Sequence, residues 1–154
     1  MDDTERLIQL EALKTLKARY CRYCDDKDWD KYLALFADDA VFDVRTGASP
    51  DADMSGDTFS EAGLQVGIEN ITSFVLATSA NIKSVHHCHT PEIEFTSDTT
   101  ATGIWAMEDR LQFSGDVAIK SLHGFGHYNE TYERVNGTWL IKTLRLSRLR
   151  VDLA

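Results

Sequence analysis

Everything after Val85 is written in strand-length pieces separated by turn formers. Val85 to Phe95 stops at Thr96-Ser97-Asp98-Thr99, and Thr100 to Phe113 stops at Ser114-Gly115-Asp116. Leu122 to Val135 stops at Asn136-Gly137, and Thr138 to Val151 follows. Asn-Gly between two such runs is the strongest short hairpin signal, because both residues tolerate the positive φ of a tight turn. Four long strands joined in this way predict an antiparallel meander. Trp139 and Ile141 share one alternation phase that Leu144, Leu146 and Leu149 do not keep, which predicts a bulge near Thr143–Arg145. Gly103, Gly124 and Gly126 inside strands predict sharp curvature or further bulges.

The N-terminal third has the other period. Leu10, Leu13, Leu16, Tyr20 and Cys24 recur three and four apart, which predicts a helix over 4–25 with one apolar stripe. Asp28 is placed to cap a short second helix through Trp29, Tyr32, Leu33 and Phe36, and Ala40–Val44 reads as a strand. Arg45 to Gly67 is rich in glycine and small polar residues and reads as a long loop at a pocket rim. A third helix is expected over Ile68–Thr78. Helices followed by a curled meander define an α+β class: a cone-shaped α+β barrel, with N-terminal helices on a curved mixed, mostly antiparallel sheet enclosing a pocket. The 154 residues are expected to form a single domain, 1–154.

Charge and hydropathy narrow the partners. The net charge is -9, from 25 acidic against 16 basic residues, with no Lys/Arg cluster, so nucleic acid is not an expected partner. Apolar runs of four or five residues fall far short of the roughly 20 that cross a bilayer, so no membrane association is expected. The acidic start, Met1-Asp2-Asp3-Thr4-Glu5, does not read as a secretory signal. With three cysteines, an odd number, this predicts a cytoplasmic chain with reduced thiols.

A few residues stand where ordinary folding would not put them. Asp25 and Asp26 end the first helix, where the negative pole of the helix dipole disfavours acids by about 0.3–1 kcal/mol each. Either they face water, or one points inward to a cation or an imidazole. Val85-His86-His87-Cys88-His89 holds three of the five histidines. On a strand, His86 and Cys88 share one face while His87 and His89 share the other, so each face offers two ligands at most. A catalytic zinc needs three; Asp109 or His127 could complete a set, but nothing in the spacing demands it, so a metal is not expected and the readings are structural histidines or a general base near neutral pH. Cys21-Arg22-Tyr23-Cys24 has redox spacing but lies at the wrong end of its helix, and core thiols are the expectation. In Glu108-Asp109-Arg110, pairing of Arg110 with Glu108 outside would turn Asp109 inward, which is costly unless the acid is paired or protonated. Arg148 is either an outer cation or an inward one.

These residues also resemble a known family. His86-His87-Cys88-His89-Thr90-Pro91-Glu92-Ile93, Thr99-Thr100-Ala101-Thr102-Gly103, then Trp105 and Glu108-Asp109-Arg110-Leu111, are similar to the SnoaL-like group of the nuclear-transport-factor-two-like superfamily. Within it the likeness is nearest to the bile-acid 7α-dehydratases, with scytalone dehydratases as kin. Tyr20 through Asp25 to Trp29-Asp30 fits as well, so the resemblance spans nearly the whole chain.

The resemblance implies catalytic roles for Tyr20, Asp25, His86, Asp109 and Arg148. It implies a cofactor-independent lyase of the dehydratase kind, without metal, in which an Asp25–His86 dyad abstracts a proton from a hydrophobic, ring-containing ketone resembling a steroid or a polyketide. A protonated Asp109 could donate to the developing charge, and Arg148 could orient Asp109 or a substrate anion. It also implies a homo-oligomer, with a trimer favoured over a dimer. The segment Arg45–Gly67 is longer than in the bile-acid branch and the C-terminal tail is shorter, both of which bear on the substrate. An isomerase or cyclase with the same dyad, and a non-catalytic ligand-binding domain, remain as alternatives. The enzyme reading requires Asp25 and His86 within hydrogen-bond reach inside a cavity.

Overall fold

The computed structural model describes residues 1–48 and 62–154. Helix α1 runs from Asp3 to Asp26, one residue longer at each end than its sequence pattern predicts. The Asp2 side chain caps it by accepting from Glu5 N–H at 2.8 Å. The apolar stripe buries Leu13, Leu16 and Tyr20, with Cys21 and Cys24 half-buried behind them. The helix ends in a Schellman-type cap: Lys27 N–H donates to Cys24 O, and Asp28 N–H donates to Tyr23 O. Lys27 holds the left-handed conformation there, at φ 60°.

Helix α2 covers only Trp29–Leu33. Asp28 stands at its N-cap, but its carboxylate accepts from Lys31 at 2.5 Å and makes no capping bond. Phe36, expected in that helix, instead opens strand β1, Phe36–Asp43. Tertiary pairing decides this: β1 lies parallel to the last strand, and Ile141 N–H donates to Leu35 O at 2.8 Å. The expected loop at 45–67 falls mostly outside the described residues. Its far end carries a short strand, β2, Leu64–Val66, antiparallel to β1, that the sequence does not announce. Helix α3 follows at Ile68–Ser79 and buries Ile71 and Val75.

The meander is present as expected: β3 Ile82–Phe95, β4 Thr100–Phe113, β5 Ser121–Val135 and β6 Thr138–Leu153. The sheet order is β2-β1-β6-β5-β4-β3, parallel only between β1 and β6. The predicted irregularity in β6 appears as two bulges. Thr143 and Ile141 pair with the adjacent Thr131 and Tyr132, so Lys142 is the extra residue, and Leu149 is the second between Arg148 and Arg150. The bulges carry the inward phase from Trp139 and Ile141 to Leu144, Leu146 and Arg148, and leave Leu149 70% exposed. α1 and α3 cover the concave face, giving the α+β cone. Among the described residues no helix is long and apolar enough to cross a membrane.

Candidate active site

The first helix and the first long strand meet at one hydrogen bond. Asp25 Oδ1 lies 2.6 Å from His86 Nδ1. The carboxylate also accepts from Ser84 Oγ at 2.8 Å through Oδ1 and from the His86 backbone N–H at 2.8 Å through Oδ2. Of the two acids at the helix end, Asp25 turns inward while Asp26 is exposed. Ser84 and His86 share the inward face of β3 by strict alternation, so one carboxylate can engage both. Burial acts to raise the Asp25 carboxyl, but the bonds from His86 and Ser84 outweigh it and hold the group below its usual range. An ionised carboxylate only accepts, so Nδ1 carries the proton, and in the neutral tautomer this leaves the lone pair on Nε2.

A cavity of about 350 Å³ opens beside this pair. His86, Tyr20, Asp109 and Arg148 line it, and Phe42, Phe74 and Leu146 are among its apolar walls. The ends of the described chain at Ala48 and Ala62 also border it. The size lies at the lower end of the range usual for small-molecule sites.

Tyr20 is buried, with its ring 5.1 Å from Tyr32 and 5.6 Å from Tyr128. Burial pushes its hydroxyl well above the usual phenol value, so it is a donor rather than a base. Beneath it the Lys17 ammonium sits 3.7 Å from the centroids of both Tyr20 and Tyr128 and pairs with buried Glu130. The opposite wall is ionic. Asp109 Oδ1 and Oδ2 accept from Arg148 Nη1 at 2.7 Å and Nη2 at 2.9 Å, and both side chains are buried. Each Asp109 oxygen is thus engaged by the guanidinium, an arrangement the sequence reading, which considered Asp109 as a donor, did not specify. Arg148 is inward, and its Nε also donates to Gly47 O at 3.1 Å.

The outside of β4 differs from expectation. Glu108 makes no salt bridge with Arg110 and pairs instead with His123 at 3.0 Å and His87 at 3.4 Å, the two imidazoles that flank it on neighbouring strands. Gly124 has a role that its sequence context conceals. A Cβ there would stand 2.3 Å from Arg148 Nη1 and 2.6 Å from Asp109 Oδ1, so the missing side chain is what leaves room for the ion pair.

Cys24, Asp25 and His86 bring three metal-type ligand atoms within 4.8 Å of one another. Burial pushes the Cys24 thiol up to about 12, against the thiolate a metal needs, and the Asp25 and His86 atoms are engaged with each other. Cys21 and Cys88 lie with their sulfurs 3.5 Å apart as free thiols. Of the residues singled out from sequence, Asp25, His86, Tyr20, Asp109 and Arg148 all reach the cavity or its dyad. Ser84 and Lys27 were missed. The alternation that put His86 inward places Ser84 beside it, whereas nothing in the sequence marks Lys27.

The N-terminal helix on a curved, six-stranded mixed sheet is the nuclear-transport-factor-two-like cone. The chain belongs to the SnoaL-like domain family, whose model matches residues 5–145. It is 24% identical over 136 residues to the probable cyclase FGR4 of Gibberella zeae, a match covering 86% of each chain. It is 18% identical to the hexachlorocyclohexane dehydrochlorinase LinA-type3 of Novosphingobium barchaimii LL02, with TM-score 0.79 over 99% of this chain and 94% of that one. A protein assigned to the scytalone dehydratases, from Novosphingobium aromaticivorans DSM 12444, has 17% identity and TM-score 0.79 over 99% and 91%. At these identities the structural likeness establishes the fold, on which dehydratase, dehydrochlorinase and cyclase names all occur.

Proposed function

We propose that the chain is a cofactor-independent lyase of the dehydratase kind. The observation that supports it is the 2.6 Å contact of His86 Nδ1 with Asp25 at the edge of an apolar cavity. His86 Nε2 takes a proton from the carbon next to a carbonyl of a hydrophobic ring-containing ketone, steroid- or polyketide-like. The electron pair moves onto the carbonyl oxygen, and Tyr20 O–H donates to that enolate. Asp25 fixes the tautomer and stabilises the imidazolium that forms. The enolate then re-forms the carbonyl as the β-hydroxyl departs, and the imidazolium returns the proton to it, so water leaves and the dyad is regenerated. Arg148 holds Asp109 in place along the opposite wall.

A cyclase or isomerase reading is supported by the likeness to a probable cyclase. It uses the same first step and differs only in where the enolate electrons go.

The experiment is an elimination assay across ring ketones carrying a β-hydroxyl or β-halide, with His86→Ala and Asp25→Asn confirmed as folded. Loss of about 10²–10⁴-fold in turnover is expected for His86→Ala, the usual contribution of a positioned base. Full activity in both variants on a true substrate would sink the dyad. The same reading includes a homo-oligomer, a trimer before a dimer, with Ile104 and Leu149 exposed on the sheet at 41% and 70%. Light scattering that returns a monomer mass at micromolar concentration would remove that part.

A further inference from the structure

Two side-chain cations, Lys27 and Arg148, line the cavity, and among the described residues only Arg148 has a carboxylate partner. Arg148 donates from Nη1 and Nη2 to Asp109 and from Nε to Gly47 O, so its charge is already matched by a carboxylate. Among the described residues Lys27 Nζ makes a single hydrogen bond, to Ser84 Oγ at 3.1 Å, and stands 5.4 Å from the Trp29 ring centroid. Among the described residues no carboxylate lies within ion-pairing distance of it. Ser84 stands between Lys27 and Asp25, and both Asp25 oxygens are already occupied by donors from Ser84 and His86.

The backbone reinforces the contrast. Lys27 takes φ 60° at the C-terminal cap of α1, a position that glycine fills without steric cost. A lysine there accepts strain and brings an ammonium to the wall of a largely apolar cavity.

We propose that Lys27 is the anion-binding, specificity-determining group of this cavity, and that the ligand is an apolar ring skeleton bearing a carboxylate or an ionised enol oxygen. The ammonium has three N–H donors, of which Ser84 takes one. The remaining two meet the ligand anion, with the ring against Phe42 and Phe74. Seated there, the anion also lies near the imidazole that becomes positive on proton abstraction. The inference rests on the cavity being the ligand site.

The test needs no knowledge of the natural substrate. Binding of 2-naphthoate and of methyl 2-naphthoate is measured by titration calorimetry at low and at physiological salt. The wild-type protein should favour the naphthoate, and salt should weaken that binding selectively. Lys27→Met should lose about tenfold or more for the naphthoate, the scale of a charge-assisted hydrogen bond, with the ester unchanged. Lys27→Arg should retain the preference. Lys27→Gly relaxes the left-handed cap while deleting the charge, so it should fold at least as well and lose the same preference.

Equal binding of the naphthoate by wild type, Lys27→Met and Lys27→Gly overturns the inference and leaves the cavity reading standing. A wild-type preference for the ester does the same. If neither probe binds the wild-type protein, the cavity reading itself falls and takes the inference with it.

Discussion

Asp109 is the cross-strand partner of His86 in the β3–β4 ladder. Directly opposed side chains on one face stand about 5 Å apart at Cβ, so the carboxylate gripped by Arg148 borders the imidazole. One strand pairing therefore brings the dyad and the ion pair into a single cavity.

Breaking that ion pair should unfold the protein more readily than removing it altogether. Arg148→Leu leaves a buried carboxylate without its partner, at an expected cost of about 3–5 kcal/mol. The double replacement Asp109→Leu/Arg148→Leu should recover much of the loss. Urea unfolding measures both, and an unchanged midpoint for Arg148→Leu would show that the pair carries no stability.

Gly124→Ala puts a methyl group 2.5 Å from Arg148 Cζ and 2.6 Å from Asp109 Oδ1. The pair must shift, at a cost of about 1–3 kcal/mol. In an Arg148→Leu background the same methyl should cost less. A double-mutant cycle that gives no coupling would separate the glycine from the ion pair.

The Asp25 carboxyl is held below its usual value by the bonds from His86 and Ser84 despite the opposing effect of burial. A depressed folded value means stability that is present above the unfolded value of roughly 4 and lost as pH falls through the folded one. Wild type should therefore melt above Asp25→Asn at pH 7, and the difference should shrink below about pH 4. Thermal melts between pH 7 and pH 3 check this, and a difference that stays constant over that range rules it out.

Thiol reactivity should follow local charge. The hydrogen bond from Cys88 is the main reason that the Cys21 thiol is lowered to about 7, while burial pushes Cys24 up to about 12. Alkylation at pH 7.5, followed by mass spectrometry, should reach Cys21 well before Cys24. Cys88→Ala should slow the reaction at Cys21, and equal rates at Cys21 and Cys24 would contradict the assignment.

The local code of this chain is strong where the structure is regular. The stripe through Leu13, Leu16 and Tyr20 reads as a helix because burial needs one face, and β4 is placed residue for residue because turn formers bracket it. An acid at the negative end of α1 and a cluster of imidazoles on β3 were legible as anomalies, while the inward face of β3 came from the structure.

What the sequence determined by itself was the two longer helices, the four long strands, the alternation that pairs residues on one face, and the oddity of Asp25, His86 and Asp109. Only the tertiary structure decided their partners. Phe36 left its helix because β6 offered a parallel neighbour, Arg148 turned inward because the bulge at Lys142 shifted the phase of β6, and Glu108 chose two histidines over Arg110. The reason is physical. Propensity and periodicity act within a few residues, whereas a bulge, a cross-strand pair or the room above a glycine depends on segments far apart in sequence that meet only once the chain has folded.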